Sequence, residues 1–395
     1  MHILIVSQYY YPEQFQINEI APELVRRGHD VTVLTGLPNY PLGELYSGYE
    51  NGNKREEIIE GVHVIRVYEH PRRKGVLHLL LNYFSFMISG SRKAKTIKDK
   101  YDVVLCYQLS PVLMIRPAIA YASKKHVPLI VYCLDIWPES ARAHLSNKIF
   151  FNLIKFYSQK LYRACDFIAV TSRPFIDYLS QVNHVARAKL GYLPQHADGK
   201  LLDMDLSSAD DGIVDFMYAG NMGKGQTLEV IVKATAELKS RNDFKVHMVG
   251  DGSQRHELEQ LAQNLGVADT VVFYGNQKRD DMPSFYKKAD VLLLTLRGDN
   301  AVGNTMPGKL QVYMTTGKPI LGAINGAAAE VISEAKCGEC VPAGDFKGLA
   351  GLMLKYIEHR ESFADCGENA KIYFNLHFTL KKYCDDLEQL LVKFA

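Results

Sequence analysis

Residues 1–35 read MHILIVSQYYYPEQFQINEIAPELVRRGHDVTVLT. His2 to Ser7 is a near-continuous apolar run, which suits a parallel strand buried on both faces. A helix is predicted from about Gln16 to Arg27, stopped by Gly28, and a second strand from Asp30 to Thr35. Strand, helix and strand in this order make a βαβ unit, which implies a doubly wound sheet. The loop between, Gln8 to Asn18, contains no GxGxxG, so a dinucleotide-binding Rossmann site is disfavoured. It is instead long, aromatic and polar, with Tyr9, Tyr10, Tyr11, Glu13, Gln14 and Asn18, and it sits at the strand edge where such sheets bind ligands.

Working outward, strands are readable at Val62 to Tyr68, Val103 to Tyr107, Leu129 to Leu134 and Phe167 to Thr171. Each ends in residues that would line one edge: Gln108 and Ser110, then Asp135, Trp137, Pro138 and Glu139, then Ser172. LDIWPES (Leu134 to Ser140) places two carboxylates and the only tryptophan directly after a buried strand. A capped helix start is the structural alternative there. A second series begins at Val214 to Ala219, with further strands at Phe244 to Val249, Thr270 to Tyr274 and Val291 to Leu296. Helices fall between them, at about Thr227 to Ser240, Gln254 to Leu265 and Met282 to Lys288. Its strand ends carry GNMGKG (Gly220 to Gly225), then Gly250, Asp251 and Gly252, then Gly275, Asn276 and Gln277.

The stretch AVGNTMPGKLQVYMTTGKPILG (Ala301 to Gly322) then runs from a glycine-bounded loop into a short helix, with Gly317 and Pro319 stopping it before the strand Ile320 to Ala323. Such a turn presents free backbone N–H groups at the positive end of a helix dipole, a phosphate-binding device to which Lys309 would add a charge. An ordinary loop, helix and strand connection is the alternative.

A chain of 395 residues fits two domains. The turn formers and acids of Tyr192 to Asp211 mark an interdomain connection. The predicted division is 1–198, 199–375 and a terminal segment 376–395, whose helix at about Leu380 to Phe394 crosses back to the first domain through Leu387, Leu390, Leu391 and Phe394. No signal peptide or 18-residue apolar run is visible, and seven scattered cysteines suggest a reducing cytoplasm. Cys337 and Cys340 form a CxxC, but no second pair or flanking histidine supports metal or redox chemistry.

Charge is unevenly divided. Residues 1–198 carry 24 Lys and Arg against 17 Asp and Glu, so the first half is the candidate for an anionic surface. Within it, PRRKGVLHLLLNYFSFMISGSRKAKTIKDK (71–100) brackets an apolar helix, Val76 to Ile88, with Arg72, Arg73 and Lys74 before it and Arg92, Lys93, Lys95, Lys98 and Lys100 after it. It is too short to span a bilayer but suits the headgroup region of an anionic membrane. A buried domain helix with a solvated basic end is the alternative.

Two doubly wound α/β domains, each with a polar strand edge, are thus expected to face across a cleft. The combination of YYPEQFQINEIAPELVRRGHDVTVLT, LDIWPES, GNMGKG, VGDG, and PGKLQVYMTTGKP followed by GAAAEVI resembles the family 4 glycosyltransferases of the GT-B fold. Within them it looks most like the bacterial branch that builds O-antigen and capsule, which includes N-acetyl-L-fucosamine transferases. The resemblance implies transfer of a sugar from a nucleotide diphosphate sugar, UDP-linked, with retention at the anomeric carbon and no metal or other cofactor. The second domain would hold the donor and the first a lipid-linked saccharide acceptor. Lys224 falls on the lysine that contacts the donor diphosphate, Asn221 replaces an arginine, and Glu330 sits where a family glutamate follows the last glycine loop. Gly220, Gly250, Asn276, Asn304 and Lys309 complete the expected donor set; Gln14, Asn18, Gln108 and Trp137 form the expected acceptor set. The family's paired glutamates would align with Asn304 and Val312, so neither acid is present, and the double glycine of the first loop is replaced by Gln14 to Asn18.

The chemistry must stabilise a departing diphosphate and a cationic anomeric carbon. Lys224, Lys309 and the N–H groups of two glycine loops can do so electrostatically, and no DxD-type carboxylate pair stands out. Deprotonating the acceptor hydroxyl needs a base, for which Asp135 comes first, Glu139 second, and the leaving phosphate third. A sugar-nucleotide epimerase of GT-B architecture and a noncatalytic nucleotide-sugar-binding protein are the alternatives.

Overall fold

The βαβ unit is built as His2–Val6 (β1), the helix Ile17–Arg26 and Asp30–Gly36 (β2), with β1 and β2 parallel. The structure is a computed structural model and describes residues 1–142, 147–208, 211–298 and 305–395. The chain divides into two compact units, one of Met1–Pro194 with Leu380–Ala395 and the other of Gln195–Thr379.

The first unit adds β3 (Glu56–Ile59), β4 (Val62–Val67), β5 (Val103–Gln108), β6 (Leu129–Cys133), β7 (Phe167–Val170) and β8 (Leu190–Tyr192). The order is β3-β4-β2-β1-β5-β6-β7-β8, and β3 joins antiparallel to β4. The second unit holds β9 (Val214–Ala219), β10 (Phe244–Val249), β11 (Val271–Gly275), β12 (Val291–Thr295), β13 (Ile320–Ala323) and β14 (Gly338–Val341), in the order β11-β10-β9-β12-β13-β14. Chain order reverses at β1 in one sheet and at β9 in the other, and the crevice outside such a switch point is where an open α/β sheet takes its ligand. The central strands β1, β5, β6, β9 and β12 are buried almost throughout, as parallel strands covered on both faces must be.

Sequence periodicity missed β3, β8 and β14. Each is three or four residues long, lies at or next to a sheet end, and lacks a continuous apolar run. The basic-flanked helix is longer than expected, Val76–Thr96 rather than ending at Ile88. Ser91 lies within this helix, its hydroxyl donating to the Met87 carbonyl at 2.5 Å. Gly90 lets Pro117 approach, since a Cβ there would come within 2.8 Å of the Pro117 ring. Cys337 and Cys340 are free thiols, and burial pushes both up to about 12, the opposite of a reactive thiolate.

The helix Leu380–Phe394 packs in the first unit. Leu387 and Leu391 are fully buried in the same cluster as Ile17, Ile20 and Leu24. Arg27 reaches Asp385 at 2.7 Å and Glu388 at 3.2 Å, and His29 meets Glu388 at 2.9 Å. Leu387→Ala is expected to lower the urea stability of this unit by about 3 kcal/mol, whereas Arg27→Ala removes partly exposed pairs and costs about 1 kcal/mol or less; equal losses would contradict this ranking.

Candidate functional site

In the second unit the turns after β9, β10 and β11 are joined through their backbones. Gly250 N–H donates to the Gly275 carbonyl at 2.9 Å, Met222 N–H to Asp251 at 2.8 Å, and Gln254 N–H to Met222 at 2.9 Å. Gly220 and Gly250 have φ of +148° and +131°, and a Cβ on Gly250 would stand 2.0 Å from the Gly220 carbonyl oxygen. Only glycine permits that approach.

The helix Gly308–Thr315 is fixed to the end of β9 by Tyr313, whose hydroxyl donates to the Ala219 carbonyl at 3.1 Å and accepts from the Ala219 N–H at 2.8 Å. This anchor places Lys309 over the Gly220 turn. Its Nζ donates to the Tyr218 hydroxyl and the Gln226 side-chain carbonyl and lies 4.2 Å from the Tyr218 ring centroid. Tyr218 in turn donates to the Asn221 carbonyl at 2.7 Å. Burial lowers Lys309 to about 7. The full charge expected from its sequence position is therefore corrected to one that is half present near neutrality.

Beside these turns lies a pocket of about 600 Å³, lined by Lys224, Thr227, Glu229, Gln254, Leu296, Arg297, Gly298, Asn325, Ala343 and Gly344. Of the predicted donor residues Lys224 lines it, while Gly220, Asn221, Gly250 and Lys309 gather at the adjoining turns. Asn276 is exposed just after β11, and Glu330 is exposed on the first turn of the helix Ala327–Ala335, after β13. Asn304 lies outside the described residues. Tyr218 and Gln226 were missed because a tyrosine inside an apolar strand reads as core. Arg297 and Asn325 stand two residues beyond the ends of β12 and β13, so the strand-end rule applied to the other turns finds them too.

In the first unit, Asp135 follows β6 and accepts hydrogen bonds from the Ser140 and Ser110 side chains. The Trp137 indole N–H donates to the same Ser110 hydroxyl at 3.2 Å. Burial raises the Asp135 carboxyl above its ordinary value, and those hydrogen bonds pull it partly back. Glu139 is held differently, accepting from the Tyr178 hydroxyl at 2.8 Å. Gln108 is fully buried; its amide donates to the Leu109 and Asp135 carbonyls at 2.6 and 2.9 Å and accepts from Tyr162 at 3.2 Å. It thus braces the Asp135 backbone from inside. Gln14 is exposed, and half-buried Asn18 donates to the Glu13 carbonyl at 2.6 Å.

Two further carboxylates lie here: Glu13 of the first loop, to which the sequence reading assigned no site role, and Glu69, which it did not single out. Glu13 accepts from the Asn39 and Tyr40 N–H groups at 2.8 and 2.7 Å, and burial raises it to about 7. Glu69 accepts from Gln8 at 2.9 Å and Asn82 at 2.6 Å, and burial pushes it well above the usual carboxylate range. Gly36 makes room for it, because a Cβ there would fall 1.6 Å from the Glu69 Oε2. Among the described residues, no group of three or more His, Cys, Asp or Glu is placed to hold a metal ion.

Residues 15–198 match the model of Glycosyltransferase Family 4 and residues 207–373 that of Glycosyl transferases group 1, leaving out 1–14, 199–206 and 374–395. A putative colanic acid biosynthesis glycosyl transferase, WcaI, of Escherichia coli K12 is 26% identical over 344 residues, 80% of this chain and 82% of that protein. Among solved structures, the sucrose-phosphate synthase of Thermosynechococcus elongatus superposes with a TM-score of 0.73 at 15% identity, covering 99% of this chain and 98% of the other. HepE of Anabaena, solved in complex with UDP-glucose, gives 0.68 at 16% identity with 100% of both chains covered. These neighbours share the expected fold class, α/β with two Rossmann-like units of GT-B type.

A diphosphate bound near Lys309 raises its lowered pKa back toward the ordinary lysine value. Below pH 7 the amine is already protonated and binding draws no proton; above pH 7 binding takes up to one proton, so affinity falls by up to about tenfold per pH unit. Calorimetry with UDP in two buffers of different ionisation enthalpy is expected to show this uptake at pH 8 in the wild type and to lose it in Lys309→Met. A pH-independent affinity in the wild type would remove Lys309 from the site.

Proposed function

Because the chain is a glycosyltransferase of the GT-B type, we propose that it moves a sugar from a UDP-linked donor to a lipid-linked saccharide of a bacterial surface polysaccharide, with retention at the anomeric carbon. The transferred group is an N-acetylated amino or deoxy sugar, and the polysaccharide is O-antigen or capsule. The observation that carries the donor half is the pair of glycine turns with Lys309 above them and Lys224 in the adjoining pocket. Close-packed backbone and a buried amine suit a charged group that must be met without rearrangement. In the reaction the bond from the anomeric carbon to the diphosphate oxygen breaks, and the acceptor oxygen bonds to that carbon. The hydroxyl proton passes to Asp135 or to the departing phosphate. A carboxyl raised by burial and still fixed by two serines is a fitting base. WcaI, named for colanic acid biosynthesis, supports the surface-polysaccharide setting.

A site on the inner face of the cell membrane accounts for the outer surface of the first unit. Leu77, Leu80, Leu81, Phe84 and Ile88 form an exposed apolar stripe on the helix Val76–Thr96. A second stripe, Ile149, Phe150, Leu153 and Phe156, lies on the helix Lys148–Arg163, which meets the first helix where Tyr157 contacts Met87. Among the described residues no helix is long and apolar enough to cross a membrane. Two neighbouring apolar stripes with basic ends fit a helix pair lying in the headgroup layer.

Incubation with a panel of UDP-sugars and a membrane lipid extract is expected to transfer label to lipid. Asp135→Asn should lower the rate about 100-fold and leave UDP affinity unchanged. Failure of any UDP-sugar to react, with no UDP binding, removes the donor assignment. Separately, Leu77→Ser with Phe84→Ser and Phe150→Ser is expected to reduce sedimentation with phosphatidylglycerol vesicles severalfold without lowering the melting temperature, and unchanged sedimentation would rule out this surface.

A further inference from the structure

Arg72, Arg73 and Lys74 stand together in the sequence as one cationic flank, but the fold separates them. Arg73 and Lys74 are exposed, whereas Arg72 is half-buried. Its guanidinium carbon lies 5.4 Å from the Tyr40 ring centroid and 5.8 Å from that of Tyr83. Its backbone N–H donates to the Asn39 side-chain carbonyl at 2.8 Å, which fixes the start of the side chain. Among the described residues no carboxylate pairs with this guanidinium. Glu69, three residues earlier, directs its carboxyl to the Gln8, Asn39 and Asn82 side-chain amides rather than to this guanidinium. A guanidinium stacked on aromatic rings keeps its N–H edge free for a planar or tetrahedral oxyanion, and partial burial strengthens that attraction.

Its neighbours say which anion. Tyr83 hydrogen-bonds Ser110, and Ser110 bonds both Asp135 and Trp137, so a short chain of contacts leads from Arg72 to the proposed base. In the other direction the exposed apolar face of the helix Val76–Thr96 begins four residues on. We propose that Arg72 binds the phosphate group that joins the lipid of the acceptor to its saccharide, with the lipid along the apolar face and the sugar toward Asp135. This rests on the lipid-linked acceptor reading and narrows it: the reacting hydroxyl belongs to a sugar close to the lipid phosphate, so the reaction follows one that has already placed a sugar phosphate on the lipid.

Farnesyl diphosphate, farnesol and inorganic pyrophosphate, titrated into the full-length protein with Trp137 fluorescence as readout, test the proposal; UDP binding is followed by calorimetry alongside. Wild type should bind farnesyl diphosphate at least tenfold more tightly than farnesol or pyrophosphate. Arg72→Gln should lose tenfold or more of that affinity, and Arg72→Lys at least threefold because a lysine cannot stack. The double variant Arg73→Gln, Lys74→Gln should stay within twofold, and UDP affinity should be the same in all. Farnesyl diphosphate binding unchanged in Arg72→Gln, or in Arg72→Lys should the first variant not fold, overturns the proposal. An equal loss in the Arg73 and Lys74 double variant also overturns it, assigning the anion to a diffuse cationic surface. Absence of UDP binding in the wild type strikes the donor reading instead, since that measurement does not involve Arg72.

Discussion

The ligand edge of the second unit depends on two backbones passing at a distance that no side chain allows. With the Gly220 carbonyl where a Gly250 Cβ would be, the turns after β9 and β10 stack into one surface. The Met222 and Asp251 turns then share hydrogen bonds. The helix carrying Lys309 can close over this surface only because Tyr313 reaches both polar groups of Ala219 at the end of β9. An amine placed there loses water, and with it much of its tendency to hold a proton. An anion bound beside it would restore that proton, which suits the diphosphate-binding role proposed for this edge.

The first unit gathers three raised acids at its strand edge, with Arg72 nearby. Glu13, Glu69 and Asp135 are all raised by burial, yet the three are partnered differently. Glu13 takes backbone N–H groups of the Asn39 and Tyr40 turn, and Glu69 takes side-chain amides, so both tie loops together. Asp135 takes the Ser140 and Ser110 hydroxyls together with Trp137 and the Ile136 backbone, and is only partly buried at the polar edge. Partnering and exposure, more than residue type, separate the carboxyl proposed as the base from the two that brace the scaffold.

Much of the frame was legible from short-range pattern. Apolar runs announced β1, β5, β6 and β12, largely apolar ones interrupted by Asp215, Lys245 and His247 announced β9 and β10, and glycine at the ends of β9, β10 and β11 marked the turns that pack together. What failed was local in cause: β3, β8 and β14 are too short for periodicity, and the helix from Val76 passes through a Gly-Ser segment that reads as a stop until Pro117 is seen against Gly90. The candidate site was legible in part. Gln108 has the right position in the chain, but its amide turns inward to Leu109, Asp135 and Tyr162.

The sequence by itself determined the two doubly wound sheets, because burial of a parallel strand writes its signature in consecutive residues. It also determined the strand-end turns and the family of the whole. The tertiary structure alone decided which charges are usable. Lys309 and Lys224 look alike as letters, as do Arg72 and Arg73, but one of each pair is packed against tyrosine rings while the other meets solvent. Charge, basicity and partner are set by what surrounds a group in space, and those surroundings come from residues tens of positions away in the chain.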